Sequence, residues 1–243
     1  MAAKVAVITG ASRGLGEVLA RFLAGQGYAL VLTARHAEPL QKVAAALASY
    51  NMPISTVIGD VADAAHRTAV VNAAQALGGL SVLVNNASDL GVSPLLPLAD
   101  FPLEALERVF KINVVAPIAL IQAALPALKA NGGLVINLSS DAAKGGYPTW
   151  GGYGLTKAAL DLVSLTLANE LRDSGVSVVS VDPGDMRTVM HQDAFPGEDI
   201  SDRPLPDVTV PFWAWLFGQE RATVSGGRYA AQAQNWEAIN ETV

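Results

Sequence analysis

Tyr153 and Lys157 stand four residues apart in a stretch of helical composition, a spacing that puts both side chains on one face. A phenol is a poor acid near neutrality, its ordinary pKa being about 10. An ammonium beside it favours the phenolate and makes the phenol a usable proton donor and acceptor. Ser140 lies thirteen residues earlier, at the end of an apolar run, where its hydroxyl can hydrogen-bond an oxygen on which negative charge develops. Such a group suits the interconversion of a carbonyl and an alcohol: when hydride reaches the carbon, the oxygen needs a proton. Alone, a Tyr–Lys pair at this spacing is a common coincidence. Its setting gives it weight.

A second string opens the chain: Thr9-Gly10-Ala11-Ser12-Arg13-Gly14-Leu15-Gly16, between a β-branched run and a helical segment. Glycines permit a tight turn and let the backbone approach a pyrophosphate at the helix N-terminus. The spacing is G-x-x-x-G-x-G rather than G-x-G-x-x-G. In a chain with 22 glycines the string alone means little. Its position, between the first strand and first helix of an alternating pattern, marks a dinucleotide site.

The elements that must position these residues follow from periodicity. Strands are expected at Val5–Thr9, Ala29–Thr33, Ile54–Ile58, Val82–Val84, Leu134–Leu138 and Val176–Val181, with a weaker one at Thr223–Tyr229. Their apolar character is nearly continuous, which suits strands covered on both faces. Helices are expected at Leu15–Ala24, Glu38–Ala48, Ala64–Leu77, Leu103–Lys129 and Trp150–Asp173, with Asp63 as an N-cap and Gly25, Gly78 and Gly175 near C-termini. Strand–helix alternation implies a doubly wound parallel α/β sheet of Rossmann type with right-handed crossovers. No repeat or linker interrupts it, so residues 1–243 read as one dinucleotide-binding and catalytic domain. Residues 182–212 depart from the pattern, with five prolines, and Phe212, Trp213, Trp215 and Phe217 follow. A long irregular segment of this kind reads as a substrate loop, at about 185–217.

The glycine string, with further matches along nearly the whole chain, resembles the short-chain dehydrogenase/reductase family. The resemblance places Gly10, Ser12, Arg13, Gly14, Leu15 and Gly16 around the phosphates and ribose of a nicotinamide cofactor. Asp60 and Val61 would contact its adenine. Asn85-Asn86-Ala87 resembles the family's Asn-Asn-Ala-Gly, bringing Asn86 and Ala87 to the cofactor. The fourth position is Ser88, and serine there would cost stability if that backbone needs a positive φ. Pro183, Gly184 and Thr188 resemble the turn that seats the nicotinamide, with Asp182 where the family more often has asparagine. Asn113, in Lys-Ile-Asn-Val-Val, matches the family's catalytic asparagine. With Ser140, Tyr153 and Lys157 it completes a tetrad in the right order and spacing. The implied roles are Tyr153 as proton donor and acceptor and Lys157 lowering its pKa and holding the nicotinamide ribose. Ser140 would polarise the substrate oxygen, and Asn113 would sustain a water-linked proton relay. Tyr147, Trp150, Asp89–Leu96 and Met186–Ala194 would border the substrate pocket. His191 reads as an exposed or core histidine that can touch substrate.

The second strand ends Leu32-Thr33-Ala34-Arg35, without the acid that holds an NAD ribose. Ala34 leaves room for a 2′-phosphate and Arg35 and Arg13 supply charge, so the expected cofactor is NADP(H). The function expected is hydride transfer between nicotinamide and a carbonyl or secondary alcohol, in the manner of a carbonyl reductase. The alternatives are a 3-oxoacyl-thioester reductase and a non-catalytic NADP-sensing or scaffold protein.

Composition excludes other classes. A net charge of −6, with sixteen scattered basic residues, argues against nucleic acid. The chain has no cysteine and its three histidines lack metal-like spacing, so no metal is expected. No signal peptide is apparent, and the most apolar stretch, Val114 to Leu128, reads as too short to span a bilayer, giving a cytoplasmic protein without membrane contact. With 51% hydrophobic residues, and two helices that pair across a two-fold axis in the family, a homodimer or homotetramer is expected.

Overall fold

The computed structural model describes residues 4–237. Strands β1 (Val5–Thr9), β2 (Ala29–Ala34), β3 (Ile54–Ile58), β4 (Val82–Asn85), β5 (Leu134–Leu138), β6 (Ser177–Asp182) and β7 (Arg228–Ala230) form one sheet ordered β3-β2-β1-β4-β5-β6-β7. Every pairing is parallel. The helices between strands are α1 (Gly14–Gly25), α2 (Ala37–Ala46), α3 (Ala64–Ala76), α4 (Leu103–Phe110), α5 (Ala116–Ala130), α6 (Ala142–Gly145), α7 (Gly151–Glu170), α8 (Val189–Ala194), α9 (Val210–Gly218) and α10 (Arg221–Val224). This is the doubly wound α/β architecture. Strand order reverses between β1 and β4, and that switch point opens a crevice at the carboxyl ends of the strands.

The apolar runs are continuous because both faces of the sheet are covered. Ala6, Ile8, Leu30, Leu32, Val84 and Ile136 pack under α1 on one side. Val5, Val7, Val31, Leu83 and Val135 pack under α3 and α5 on the other. Asp63 caps α3, its carboxylate accepting the Ala65 N–H at 3.0 Å.

Several expectations change. The helix over 103–130 is continuous but holds a π-turn at Lys111–Val115, directly before Pro117, which has no N–H to give the helical ladder. At 28 residues it is long and apolar enough to cross a membrane, so the length expectation fails; half of its apolar window is buried, with Leu120, Ile121, Ala124 and Leu128 in the core. The strand expected at Thr223–Tyr229 covers only Arg228–Ala230. The residues before it form α10 and a turn through Gly226, whose φ is +82°. The far end of the 185–217 segment is not a loop. Phe212 and Trp213 on α9 are fully buried among Tyr229, Trp215 and Trp236, and truncating either to alanine would cost about 3–5 kcal/mol.

Candidate active site

The crevice divides into a larger cavity of about 680 Å³ and a smaller one of about 300 Å³. Tyr153 lines both, as do Leu90, Ser139, Pro183, Met186, Thr188 and Met190.

The larger cavity is built at the end of β1. Gly10, with φ +65°, turns the chain towards α1, and a Cβ on Gly16 would lie 2.3 Å from Gly10 O. Asn86 straps this turn from the end of β4, its Nδ2 donating to Thr9 O at 2.8 Å and to Gly10 O at 3.1 Å. Thr9 Oγ1 accepts in return from the Asn86 and Ala87 N–H groups, each at 2.9 Å. Gly10 and Gly16 are thus packed too closely for a Cβ, and the backbone of the turn, facing the larger cavity at the N-terminus of α1, makes a cradle suited to a pyrophosphate. Ser12, Arg13, Gly14, Leu15, Arg35, Asp60, Val61, Asn86, Ala87, Lys157, Pro183 and Thr188 line the same cavity. Arg13 and Arg35 are both exposed on it. Two guanidiniums and a helix N-terminus make a donor set that fits a dinucleotide with an extra phosphate. Gly184 differs: it lines the smaller cavity.

The smaller cavity lies between β5, β6 and α7. Tyr153 and Lys157 share a buried face of α7, and Lys157 Nζ donates to Leu138 O at 2.7 Å. Nζ lies 5.3 Å from the centroid of the Tyr153 ring. Burial pushes the Lys157 ammonium down to about 8, against Asp161 and Asp182, which favour its charge. Burial also pushes the Tyr153 phenol well above its ordinary value, and Asp182 and Asp141 push the same way; the nearby Ser88 and Ser140 hydroxyls oppose them. The lysine sits against the ring, where its charge acts in the same direction as the serines. Ser140 Oγ is itself bonded to Asp141 Oδ1 at 3.1 Å and to Ala142 N at 3.2 Å.

Asn113 lies behind these groups and lines neither cavity. Its Oδ1 accepts from Ser88 Oγ at 3.1 Å and Asp89 N at 2.8 Å; its Nδ2 donates to Asp89 O at 2.9 Å and Thr156 Oγ1 at 3.0 Å. All its amide capacity is used on protein, so any relay contact falls to the backbone carbonyls that the π-turn displaces from the helical ladder. Ser88 does not carry a positive φ, and the backbone cost expected of it does not arise.

Residues 4–199 match the family model for short chain dehydrogenase. The chain belongs to the short-chain dehydrogenase/reductase family. An oxidoreductase of Staphylococcus epidermidis is 34% identical over 202 residues, 82% of this chain and 84% of that protein. A short chain dehydrogenase from Salmonella enterica serovar Typhi superposes with a TM-score of 0.88 at 28% identity, covering 96% and 97% of the two chains. A short chain dehydrogenase from Shigella flexneri, in complex with NADP, superposes at 0.87 with 28% identity over 95% and 97%.

Beyond the family tetrad, other residues shape the site. Arg228 on the edge strand β7 donates to Ser140 O at 2.8 Å and Asp161 Oδ2 at 2.9 Å, and its Nη2 lies 3.5 Å from Asp182 Oδ2. Asp182 Oδ1 accepts the Gly184 N–H at 3.0 Å. Burial raises the Asp182 carboxyl above the usual range, with the Gly184 N–H and Arg228 drawing it back. Ser139 is buried against both cavities with its Oγ unpaired. Tyr147, Trp150, His191 and Phe195 line the smaller cavity, and ring contacts run from Tyr153 through Trp150 and Phe195 to His191 at 5.9, 6.0 and 5.0 Å. Of the loop between β4 and α4, Asp89–Ser93 line the larger cavity. The weak strand expected at Thr223–Tyr229 contains Arg228, but nothing in its apolar pattern marks the guanidinium as reaching Ser140. Ser88 was visible in the motif, but only as a question about backbone.

Proposed function

We propose that this chain is an NADP(H)-dependent oxidoreductase that passes hydride between nicotinamide and a carbonyl or secondary alcohol on a small apolar or ring-bearing molecule. The observation that carries this is the placement of Tyr153 at the junction of the two cavities, on one buried face of α7 with Lys157. The nicotinamide, when bound, supplies or accepts the hydride. The glycine turn would hold the pyrophosphate, Asp60 and Val61 the adenine, and Arg13 and Arg35 a 2′-phosphate. Tyr153 and Lys157 would hold the ribose beside the ring, with Asn86, Ala87, Pro183, Gly184 and Thr188 around it. Tyr153 gives its proton to the substrate oxygen in reduction and takes it in oxidation. Ser140 orients that oxygen, and the buried Lys157 charge behind the ring favours phenolate over phenol.

Aromatic walls favour a ring-bearing substrate, and Asp141, Asp182 and Asp185, with no Lys or Arg among the described residues lining the smaller cavity, disfavour an anionic one. That ranks a thioester on an acidic carrier below a neutral carbonyl. A silent nucleotide sensor would have no need of the whole tetrad, and all four residues are present. A homodimer or homotetramer belongs to the same reading: Leu103 (70% exposed) on α4 and Leu162 (65%) on α7 present apolar surface on the two helices concerned.

The test is NADPH consumption against a panel of acetoacetyl thioester, α-diketones, aryl ketones and quinones, with Tyr153→Phe alongside. Turnover that vanishes in the variant supports the reading. Turnover that survives it, or tight NADPH binding with no turnover on any carbonyl, counts against it.

A further inference from the structure

Where β2 and β3 end, two buried polar side chains meet: Thr33 Oγ1 is hydrogen-bonded at 2.7 Å to Nε2 of His66, which stands in the first turn of α3. The imidazole also fills the space beside Gly59, where a Cβ would lie 2.3 Å from Nδ1. One ring therefore touches the ends of two neighbouring strands.

Those ends carry residues that face the larger cavity. Ala34 and Arg35 follow Thr33, and Asp60 and Val61 follow Gly59; all four line it. Thr33 and His66 do not, so they act from behind its wall. Backbone bonds extend the grip. Thr33 O accepts the Ala11 N–H of the glycine turn at 3.1 Å, and Ala34 O accepts the Gly59 N–H at 3.0 Å. With the Ala34–Ile58 pair and that last bond the β2–β3 ladder ends, so past it the spacing of the two chains is left to side chains. Arg67, next to His66, donates from Nη1 to Val61 O at 2.7 Å. The first turn of α3 thus holds this wall at both strand ends. Burial lowers the His66 pKa, with Asp63 and Asp60 drawing it back up and Arg67 adding to the lowering. The ring is therefore neutral at pH 7, and it contributes shape and one hydrogen bond in place of charge.

We infer that His66 is a positioning residue for the adenosine half of the cofactor. It is a wedge that fixes the spacing of the β2 and β3 ends, so that Arg35 meets the 2′-phosphate while Asp60 and Val61 meet the adenine. The inference rests on the larger cavity being the NADP(H) site. A charge-assisted bond to phosphate depends on distance and direction, so a wall that shifts loses affinity without touching the reacting atoms.

The test compares three variants with the parent protein. His66→Leu keeps apolar bulk but strands the buried Thr33 hydroxyl, and Thr33→Val strands Nε2 from the other side. His66→Gln keeps a side-chain amide that reaches as far as Nε2. Adenosine 2′,5′-bisphosphate, titrated by calorimetry, and NADPH, titrated by fluorescence, should each bind about tenfold more weakly to His66→Leu and Thr33→Val. His66→Gln should bind both within about threefold of the parent. At saturating NADPH, kcat on a carbonyl of the panel above should move by less than about twofold in all three, because only uniform binding is lost. A residue that merely stabilised the fold would lower the melting temperature and leave these affinities alone. Parental affinities in His66→Leu and Thr33→Val overturn the inference, as does a His66→Gln that binds as weakly as His66→Leu. If His66→Leu fails to fold, Thr33→Val decides in its place. When the parent binds adenosine 2′,5′-bisphosphate in competition with NADPH, such results remove only the role of His66. If the parent shows no such competition, the placement of the adenosine half falls, and the role of His66 with it.

Discussion

At the nucleotide end of the crevice the contacts come from backbone: the Gly10 turn, the Thr9 and Gly10 carbonyls that Asn86 grips, and the N-terminus of α1. At the substrate end they come from side chains: Tyr153, Ser140, Ser88, the Arg228 cluster and a file of aromatic rings. The turn tolerates little change at Gly10 and Gly16, where a Cβ would collide with Asn86 and with backbone. A side-chain cavity tolerates change readily, and each change alters what fits. One end is therefore fixed by close packing, while the other can be re-cut by single substitutions.

The largest effect separating the two ends should come from Tyr153→Phe, which removes the proton donor without touching the cradle. It should lower kcat by about 10²–10⁴ while NADPH binding, followed by fluorescence titration, is nearly preserved. Loss of binding of comparable size would break the division.

Arg228→Met comes next. It leaves Asp161 and Asp182 without their guanidinium and should cost about 3–5 kcal/mol in urea unfolding near pH 7. Asp182 already has a raised carboxyl pKa, so the folded state binds more protons than the unfolded one through the carboxylate range. Its contribution to stability therefore declines as pH rises through that range, and more steeply without Arg228. The variant's deficit should be smaller at pH 4 than at pH 7. A deficit independent of pH would mean that Arg228 acts by packing alone.

Gly16→Ala probes the cradle. Its methyl would meet Gly10 O at 2.3 Å and Asn86 Nδ2 at 2.7 Å, so we expect a loss of about 1–3 kcal/mol in stability together with weakened NADPH binding. An unchanged melting temperature and affinity would show that the turn has room to spare. The smallest effect should come from Arg35→Ala, which removes one charge-assisted bond: NADPH affinity should fall by about 10–100-fold and NADH affinity little. Equal loss for both cofactors would place Arg35 away from the 2′-phosphate.

The same division explains what was legible in the chain. The glycine turn could be read because its geometry admits few residue types, and the sheet could be read because strands buried on both faces leave unbroken apolar runs. Side-chain direction leaves no such trace. Ser88 appears in the motif as a missing glycine, yet only the backbone direction after β4 brings its hydroxyl to Asn113. The aromatic run after Val210 has the composition of a substrate wall and turns inward instead, because Tyr229 and Trp236 receive it. The π-turn at Asn113 lies in a β-branched run before Pro117, which marks a weak stretch of helix but not which turn widens.

The place of Arg228 also bears on how the protein is made. The cradle is encoded between Val5 and Ser88 and leaves the ribosome first, whereas the guanidinium beneath Ser140 arrives on β7, the last strand. A nascent chain ending before Arg228 already contains the cradle but not the brace for its catalytic edge. During synthesis, the glycine turn precedes the brace beneath Ser140 by nearly the whole length of the sheet.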